Sequence, residues 1–271
     1  MNDIEKRMLD NLRRGREQYG VVAVKAEFEA EGTRSDEFLR LLEIARRADV
    51  NVALKIGGCE ALTDLLASKL YGIDYVIAPM VETAYALTKF VDAKAKVYGV
   101  NGHDTQFLFN LETQTTLGNL DEMISIAKGA LDGIVFGRVD FTLSRRLTRC
   151  AINQADITNA VLQVARACAA ADLELVVGGA VTQEAIQPLR EIRAVRLDRF
   201  ETRKIVFDGG LLDRNQAEAG IANAVAFELD WLRNKRDYYQ QIASEDITRI
   251  KMLESRTQLP AVDIALSNKA A

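Results

Sequence analysis

The chain has 271 residues, of which 48% are hydrophobic and 27% charged, enough to bury the core of one large domain. Its 35 lysines and arginines do not exceed its 39 acids, which argues against the basic surface that a nucleic-acid backbone requires. No apolar stretch reaches the ~18 residues of a membrane-spanning helix, and the first residues lack the apolar core of a secretion signal. The spacing of the three cysteines matches no metal site. We therefore expect a soluble, cytoplasmic protein without nucleic-acid or membrane partners.

Along the chain, short β-branched runs alternate with longer segments of helical period. Ser35, followed by two acids, is predicted to open a helix, because acids are favoured in a first helical turn. Strands that read as continuous apolar runs are typical of a parallel sheet covered by helices. The predicted strands are 21–29, 50–58, 75–80, 96–100, 107–112, 133–137, 174–179 and 194–198, with 203–207 as a further candidate.

About eight strands in one domain favour an α/β fold of the (β/α)8 TIM-barrel type, since no glycine-rich phosphate turn follows the first strand of the chain. The gap between 96–100 and 107–112 is too short for a crossover helix. The segment 96–100 is therefore alternatively a connection, with 203–207 as the closing strand. We predict a single barrel domain over residues 1–271, with a helix before the barrel and a C-terminal helical extension over 211–271.

Polar residues end several predicted strands, where the active sites of such barrels form. They are Lys25, Glu27 and Glu29 in 21–29, Lys55 in 50–58, Glu112 in 107–112 and Asp140 just after 133–137. Two acids from neighbouring strands, Glu112 and Asp140, could hold one divalent ion, because hard cations take oxygen ligands. The alternative is that both are ordinary strand-end acids that cap helices or pair with Arg138.

The letters around these acids, "NLETQTTLGNLDEM" and "LDGIVFGRVD", and the earlier stretch "GIDYVIAPMVETAYAL" resemble the HpcH/HpaI aldolase and citrate lyase family. The resemblance covers roughly residues 22–144. It implies that Glu112 and Asp140 bind Mg²⁺ or Mn²⁺ and that the substrate is a 2-oxo acid such as pyruvate or oxaloacetate. Because the family commonly forms multimers, it also implies a homo-oligomer.

Three positions depart from the family pattern. The family's early acid-then-histidine ending is replaced by "EFEAEG", which has no histidine and offers Glu29 as a candidate catalytic residue. Lys55 stands where the family has an arginine that holds the oxo acid, and it supplies charge without the planar fork. Arg138 replaces a small residue, and its period-two relation to Asp140 predicts that it points into the mouth and binds a carboxylate. We therefore predict that Lys55 and Arg138 take part in catalysis.

The remaining candidates each have two interpretations. A histidine side chain generally titrates near neutral pH, so His103 could be the displaced base, or it is a surface residue of a loop. Lys25 and Lys55 could form a Schiff base if uncharged, or they belong to a lysine and glutamate network in which nearby acids keep them protonated. Lys25, Glu27 and Arg203 are candidate substrate-binding residues, although Arg203 also fits an ordinary charged rim.

Two functions follow from these residues. The first is a metal-dependent carbon–carbon lyase or aldolase, or the reverse condensation, in which the ion stabilises the enolate of a 2-oxo acid. The second is a barrel that has lost the chemistry and binds an acidic metabolite or acts as a scaffold, because a fold does not guarantee an activity. The intact acid pair favours the lyase, whereas the missing histidine and arginine favour the scaffold.

Overall fold

A closed barrel of eight strands, joined in chain order, forms the centre of the protein in this computed structural model, which describes residues 1–99 and 104–257. The strands are short and largely buried, as expected for β-branched runs enclosed by helices. The closed barrel predicted from the sequence is confirmed. The strands are β1 (Val21–Glu27), β2 (Asn51–Lys55), β3 (Tyr75–Ala78), β4 (Gln106–Leu111), β5 (Gly133–Gly137), β6 (Glu174–Gly178), β7 (Arg199–Glu201) and β8 (Ile205–Asp208).

Helices surround the barrel, and residues of known capping preference mark several of their ends. Asn2 begins the first helix with a capping box to Glu5, and Gly20 ends it in the left-handed region at φ 61°. In the part of the chain that the structure describes, no helix is both long and apolar enough to cross a membrane. The helices are α1 (Asp3–Tyr19), α2 (Ser35–Arg47), α3 (Leu62–Tyr71), α4 (Ala84–Tyr98), α5 (Gln114–Gly118), α6 (Leu120–Ala127), α7 (Arg138–Ser144), α8 (Ala155–Ala171), α9 (Ile186–Arg193) and α10 (Ala217–Thr257).

The last strand, β8, runs antiparallel to both of its neighbours, β1 and β7. The strands from β1 to β7 are parallel. Only residues 202–204 separate β7 from β8, and a parallel crossover needs about a dozen residues or more. The chain therefore turns back as a hairpin, and the hairpin turn lies at the carboxyl ends of the parallel strands. The expected parallel arrangement thus ends at β7.

Two of the predicted strands are misplaced. Residues 96–98 belong to the last turn of α4, so the prediction of a strand at 96–100 is wrong and 203–207 contributes the closing strand, as the alternative held. The prediction at 194–198 misses β7, which begins at Arg199. Pairing of Arg199 with Val176 of β6 fixes that strand, and a three-residue strand is too short to leave its own pattern in the sequence.

Apolar side chains fill the space between barrel and helices and also close the middle of the barrel interior. Each member of the interior layer lies on a different strand from β2 to β6. The layer leaves the carboxyl end of the barrel free for a site. Its residues are Ala53, Ile77, Leu108, Val135 and Val176, with Tyr75 packed against them.

The helices from the two ends of the chain, α1 and α10, pack against each other. Arg7 pairs with Asp230 at 3.0 Å, and Asn2 Nδ2 donates to Asn234 Oδ1 at 2.7 Å. Beyond this contact, residues 240–256 of α10 are exposed. The extension predicted over 211–271 contains α10, while residues 258–271 lie outside the described part.

Candidate active site

The floor of the barrel mouth is formed by the strand positions two residues beyond the apolar layer. Successive side chains on a strand alternate between faces, so these positions point into the same interior. At four of the five positions the floor residue is polar or a glycine, and the position after β3 is Pro79. On β2, β4, β5 and β6 the floor residues are Lys55, Asn110, Gly137 and Gly178.

Two floor positions are glycines, and carboxylates lie over them. A Cβ atom at Gly137 would come within 2.8 Å of Glu112 Oε2, and one at Gly178 would come within 2.8 Å of Glu201 Oε1. Such contacts are far inside van der Waals distance, so any larger residue would displace the carboxylate. The glycines at the ends of β5 and β6 therefore leave the space that the carboxylates of Glu112 and Glu201 occupy.

A cavity of about 720 Å³ opens at this mouth, and acids outnumber bases in its wall. Among the described residues, six carboxylates and four cationic side chains line it, an excess of two negative charges. An excess of this sign favours a bound cation. The acids are Glu27, Glu29, Glu112, Asp140, Glu201 and Glu228, and the bases are Lys25, Lys55, Arg149 and Arg203.

Glu112, directly after β4, is held on both of its oxygens. Oε1 accepts the backbone N–H of Met80 at 2.9 Å, and Oε2 accepts Asn110 Nδ2 at 2.7 Å. The side chain is 2% exposed. Met80 reaches this position with a positive φ of 49°, which is uncommon for a residue other than glycine.

Lys55 at the end of β2 is a buried cation between two acids. Its Nζ lies 3.0 Å from Glu29 Oε2 and 3.5 Å from Glu112 Oε2. Burial alone would lower the pKa of Lys55, but the charges of Glu112 and Glu29 outweigh burial and raise it. The raised pKa favours the charged form of Lys55, and its ammonium lies in the cavity wall beside the proposed metal ligand.

Lys25 on β1 forms the matching arrangement on the other side of the floor. Its Nζ lies 2.5 Å from Glu201 Oε1 and 3.4 Å from Glu27 Oε1. Burial works to lower the pKa of Lys25, yet the two acids together raise it above its ordinary value. Lys25 is thus also held as a cation, which opposes its use as a Schiff-base amine.

Asp140 lies in the first turn of α7, which begins directly after β5. It is exposed and lines the cavity. The prediction that Arg138 and Asp140 continue a strand and share a face is wrong, because residues two apart on a helix point in different directions. Asp140 nevertheless belongs to the same mouth as Glu112.

Arg138 lies behind the cavity wall and does not line it. Its side chain is 1% exposed and donates to the carbonyl oxygens of Gly178 at 3.2 Å and Gly179 at 2.8 Å, and to Asn153 Oδ1 at 3.0 Å. Among the described residues it has no acidic partner, and burial lowers its pKa to about 10. The position supports a role in fastening the end of β6, and it does not match the predicted contact with a substrate carboxylate.

The other predicted residues are distributed around the rim. Glu27 and Glu29 line the cavity, each as an ion-pair partner of a lysine. Arg203 is exposed in the turn between β7 and β8, lines the cavity and pairs with Glu31 at 2.8 Å. His103 lies outside the described residues.

The profile of the HpcH/HpaI aldolase/citrate lyase family matches residues 39–200, more than half of the chain. The chain belongs to this family. The match includes the floor lysine and both proposed metal ligands, and it confirms the resemblance seen in the motifs around Glu112 and Asp140. Membership in the HpcH/HpaI family places the chain among aldolase and lyase proteins at a coarse level.

Solved structures share the fold at low sequence identity. An HpcH/HpaI aldolase from Desulfitobacterium hafniense has a TM-score of 0.57 at 13% identity, over 78% of this chain and 86% of that one. An HpcH/HpaI aldolase/citrate lyase family protein from Burkholderia cenocepacia has a TM-score of 0.58 at 13% identity, over 90% and 100%. RipC from Yersinia pestis has a TM-score of 0.51 at 14% identity, over 76% and 88%. No curated protein matches the chain.

Glu201 is the floor residue that sequence reasoning left without a role in this HpcH/HpaI barrel. It is 4% exposed and ends β7, much as Glu112 follows β4. The predicted strand stopped at residue 198, so Glu201 fell beyond it. Its strand has only three residues, so no local pattern in the sequence marks Glu201 as the last position of a strand.

Proposed function

We propose that this protein breaks or forms a carbon–carbon bond next to a 2-oxo acid, such as pyruvate or oxaloacetate, with the help of Mg²⁺ or Mn²⁺. The observation that carries the proposal is the acidic mouth, whose wall has two uncompensated negative charges among the described residues. Asn110 Oδ1, beside Glu112, is buried without a hydrogen-bond partner in that part of the chain. A cation would satisfy this acceptor, and oxygen donors suit a hard divalent ion.

The residues fit such an ion in combination with substrate. Within residues 1–99 and 104–257, no group of three or more His, Cys, Asp or Glu side chains is placed to hold a metal by itself. Mg²⁺ is commonly held by one or two carboxylates plus substrate oxygens. We propose Glu112 and Asp140 as the two carboxylates, with Asn110 Oδ1 beside them.

The chain's own residues would hold and orient the substrate. When bound, the ion supplies Lewis acidity to the oxygen that gains charge as the bond breaks. Lys55, held as a cation beside Glu112, offers a second positive charge to the substrate carboxylate. Val139, Val181 and Val225 contribute apolar surface to the cavity wall.

One observation supports the alternative, a barrel that binds an acidic metabolite or a partner without catalysis. Both oxygens of Glu112 already accept hydrogen bonds, and Lys55 neutralises its charge. A network that is satisfied in this way needs no ion to be stable. The two functions therefore differ in whether an ion binds beside Glu112.

Proton exchange at the methyl group of pyruvate separates the two functions. With Mg²⁺ or Mn²⁺ in deuterated water, the lyase should replace the methyl protons, which NMR detects, and a chelator should stop the exchange. Exchange that survives exhaustive chelation would overturn the metal mechanism. No exchange with either metal would favour the binding function.

A further inference from the structure

One side of α10 carries an exposed apolar stripe. The stripe consists of two sets of three residues, and the second set repeats the first 18 positions later in the chain. Since 18 residues make about five full helical turns, both sets lie on the same side of the helix, within an arc of about 80°. The sets are Val225, Leu229 and Leu232, and Ala243, Ile247 and Ile250, all of them exposed.

The outer half of α10 extends beyond the body of the protein. Trp231 is the last buried residue of this helix among those described, and Tyr239, which is partly exposed, donates its hydroxyl to Glu37 Oε1 of α2 at 2.5 Å. From residue 240 to residue 256 every side chain is exposed, over a length of about 25 Å. Helices in proteins gain most of their stability by packing an apolar face. The stripe is therefore a surface that a partner would stabilise.

The stripe is complementary to itself when two α10 helices run antiparallel. The first set of one helix then lies opposite the second set of the other, so three apolar layers form on each side of the centre. At the centre, Arg236 lies opposite Tyr239 of the second copy, and a polar residue at such a position fixes the register of a helix pair. The apolar layers are Val225 with Ile250, Leu229 with Ile247, and Leu232 with Ala243 of the second copy.

The charges of α10 favour the same direction. Residues 225–246 contain five acids and three bases, whereas residues 247–256 contain three bases and one acid. An antiparallel pair places the basic end of each helix beside the acidic half of the other, which is the complementary arrangement. Glu228 of one copy then lies next to Arg249 of the other, because both residues flank the stripe on the same side.

We propose that two copies of this chain associate through an antiparallel pair of α10 helices, with a two-fold axis between Arg236 and Tyr239. The contact is isologous, because the same stripe serves both copies. The two barrels lie at opposite ends of the pair, and the exposed half of each helix packs beside the barrel-bound half of the other. Val225 and Glu228 also line the mouth cavity, so the second copy borders each mouth. The association does not depend on the chemistry in that cavity.

Sedimentation velocity of the full chain tests the contact. Ile247→Glu should halve the mass of the assembly, because it places a carboxylate in an apolar layer at two symmetric positions. We expect the dissociation constant of the pair to rise at least about 100-fold. Met252→Glu is the matched control and should keep the mass of the unmodified protein, since Met252 is also exposed but lies on the opposite side of the same helix.

An exchange of charges tests the antiparallel direction. Glu228→Arg and Arg249→Glu should each raise the dissociation constant of the pair about tenfold, because like charges then meet across the contact. The double variant, which carries both substitutions, should return the dissociation constant to that of the unmodified protein. In a parallel pair these two residues lie about 30 Å apart along the helices, so the double variant would stay weakened.

Three results would overturn the proposal. The first is an unmodified protein that sediments as a monomer, and the second is an assembly whose mass Ile247→Glu leaves unchanged. The third is a double variant, Glu228→Arg with Arg249→Glu, that associates no better than either single variant. Neither measurement uses a substrate or a metal, so the outcome is separate from that of the proposed lyase.

Discussion

The Lys55 ammonium lies 3.5 Å from Glu112 Oε2 and 3.0 Å from Glu29 Oε2, so one buried cation joins acids from two different parts of the barrel mouth. Glu112 follows β4, whereas Glu29 lies in the loop after β1. Removing the ammonium would leave both carboxylates without their shared counter-charge. The same contact also puts Lys55 next to the proposed substrate position.

Lys55→Met should weaken both binding and stability. We expect the dissociation constant for a 2-oxo acid to rise about tenfold, because the substrate loses one charge partner. The free energy of unfolding should fall by about 3–5 kcal/mol, since two acids lose a buried partner. Titration calorimetry and urea unfolding measure the two effects. The control is Lys89→Met, which removes a surface ion pair with Glu60 at 2.9 Å. Unchanged affinity for the 2-oxo acid in Lys55→Met would show that Lys55 has only a structural role.

Glu112→Gln should abolish stabilisation by the divalent ion. The amide preserves the shape of the side chain over Gly137 but removes the negative charge that attracts a cation. In the unmodified protein, Mn²⁺ at a hundred times its dissociation constant should stabilise the fold by about 2.7 kcal/mol, seen as a higher melting temperature. Glu174→Gln, at the amino end of β6, should keep the Mn²⁺ response. An unaltered response in Glu112→Gln contradicts the proposed site.

Gly137→Ala tests the same site without touching a charge. The new Cβ would lie 2.8 Å from Glu112 Oε2, so the carboxylate must move and the affinity for Mn²⁺ should fall. Gly58→Ala is a matched control, because a Cβ there meets nothing within 4 Å. Manganese binding followed by electron paramagnetic resonance measures the difference. Equal affinities in both variants would show that the position of Glu112 over Gly137 does not matter for the ion.

Glu31 should contribute stability that disappears in acid. Burial alone would raise the pKa of Glu31, but Lys204 and Arg203 outweigh it and lower the pKa in the folded protein. The contribution of Glu31 to the free energy of unfolding is therefore fully present above a pH of about 4.3, the pKa of glutamate in an unfolded chain. It is lost as the pH falls through the lower pKa that Glu31 has in the folded protein. Glu31→Gln should cost about 1.5–3 kcal/mol at neutral pH, and the difference should shrink near pH 3. Urea unfolding at both pH values measures it, with Asp10→Asn, at an exposed acid of α1, as control. A cost that is the same at both pH values would rule out the ion pairs as its source.

Borohydride should trap no covalent adduct between the protein and pyruvate. Acids raise the pKa values of both Lys25 and Lys55, so neither amine is available for attack on a carbonyl. Intact-mass spectrometry before and after reduction is the measurement. Added mass located on either lysine by peptide mapping would replace metal-assisted chemistry with a Schiff base.

The residues that could be predicted from the sequence are those at the ends of long strands. Lys55 and Glu112 follow clear apolar runs, so their place at the mouth follows from the geometry of a barrel. Glu201 ends a strand of only three residues, whose position depends on pairing with β6. No local pattern of that length identifies a strand, which explains why its acid was missed.

The direction and the contacts of the Arg138 side chain also could not be predicted from the sequence. The stretch "GRVD" reads as the end of a strand, and alternation would place Arg138 and Asp140 on one face. The chain instead starts α7 at Arg138, and the buried guanidinium finds carbonyl oxygens of β6. Those acceptors are about 40 residues away in sequence and become neighbours only through the parallel pairing of β5 and β6.

The late position of the antiparallel β8 in the chain also determines when the barrel can close during synthesis. The barrel closes when β8 pairs with β1, and nearly all of the other strands lie between these two in the chain. The packing of α1 against α10 likewise joins the two ends of the chain. Contacts of such sequence separation form slowly, and β1 presents an open edge to the solvent until then. Lys25 on β1 and Glu201 on β7 meet across this closing strand. The mouth therefore acquires its full set of charges, which includes Glu228, only after residue 228 has left the ribosome, late in translation.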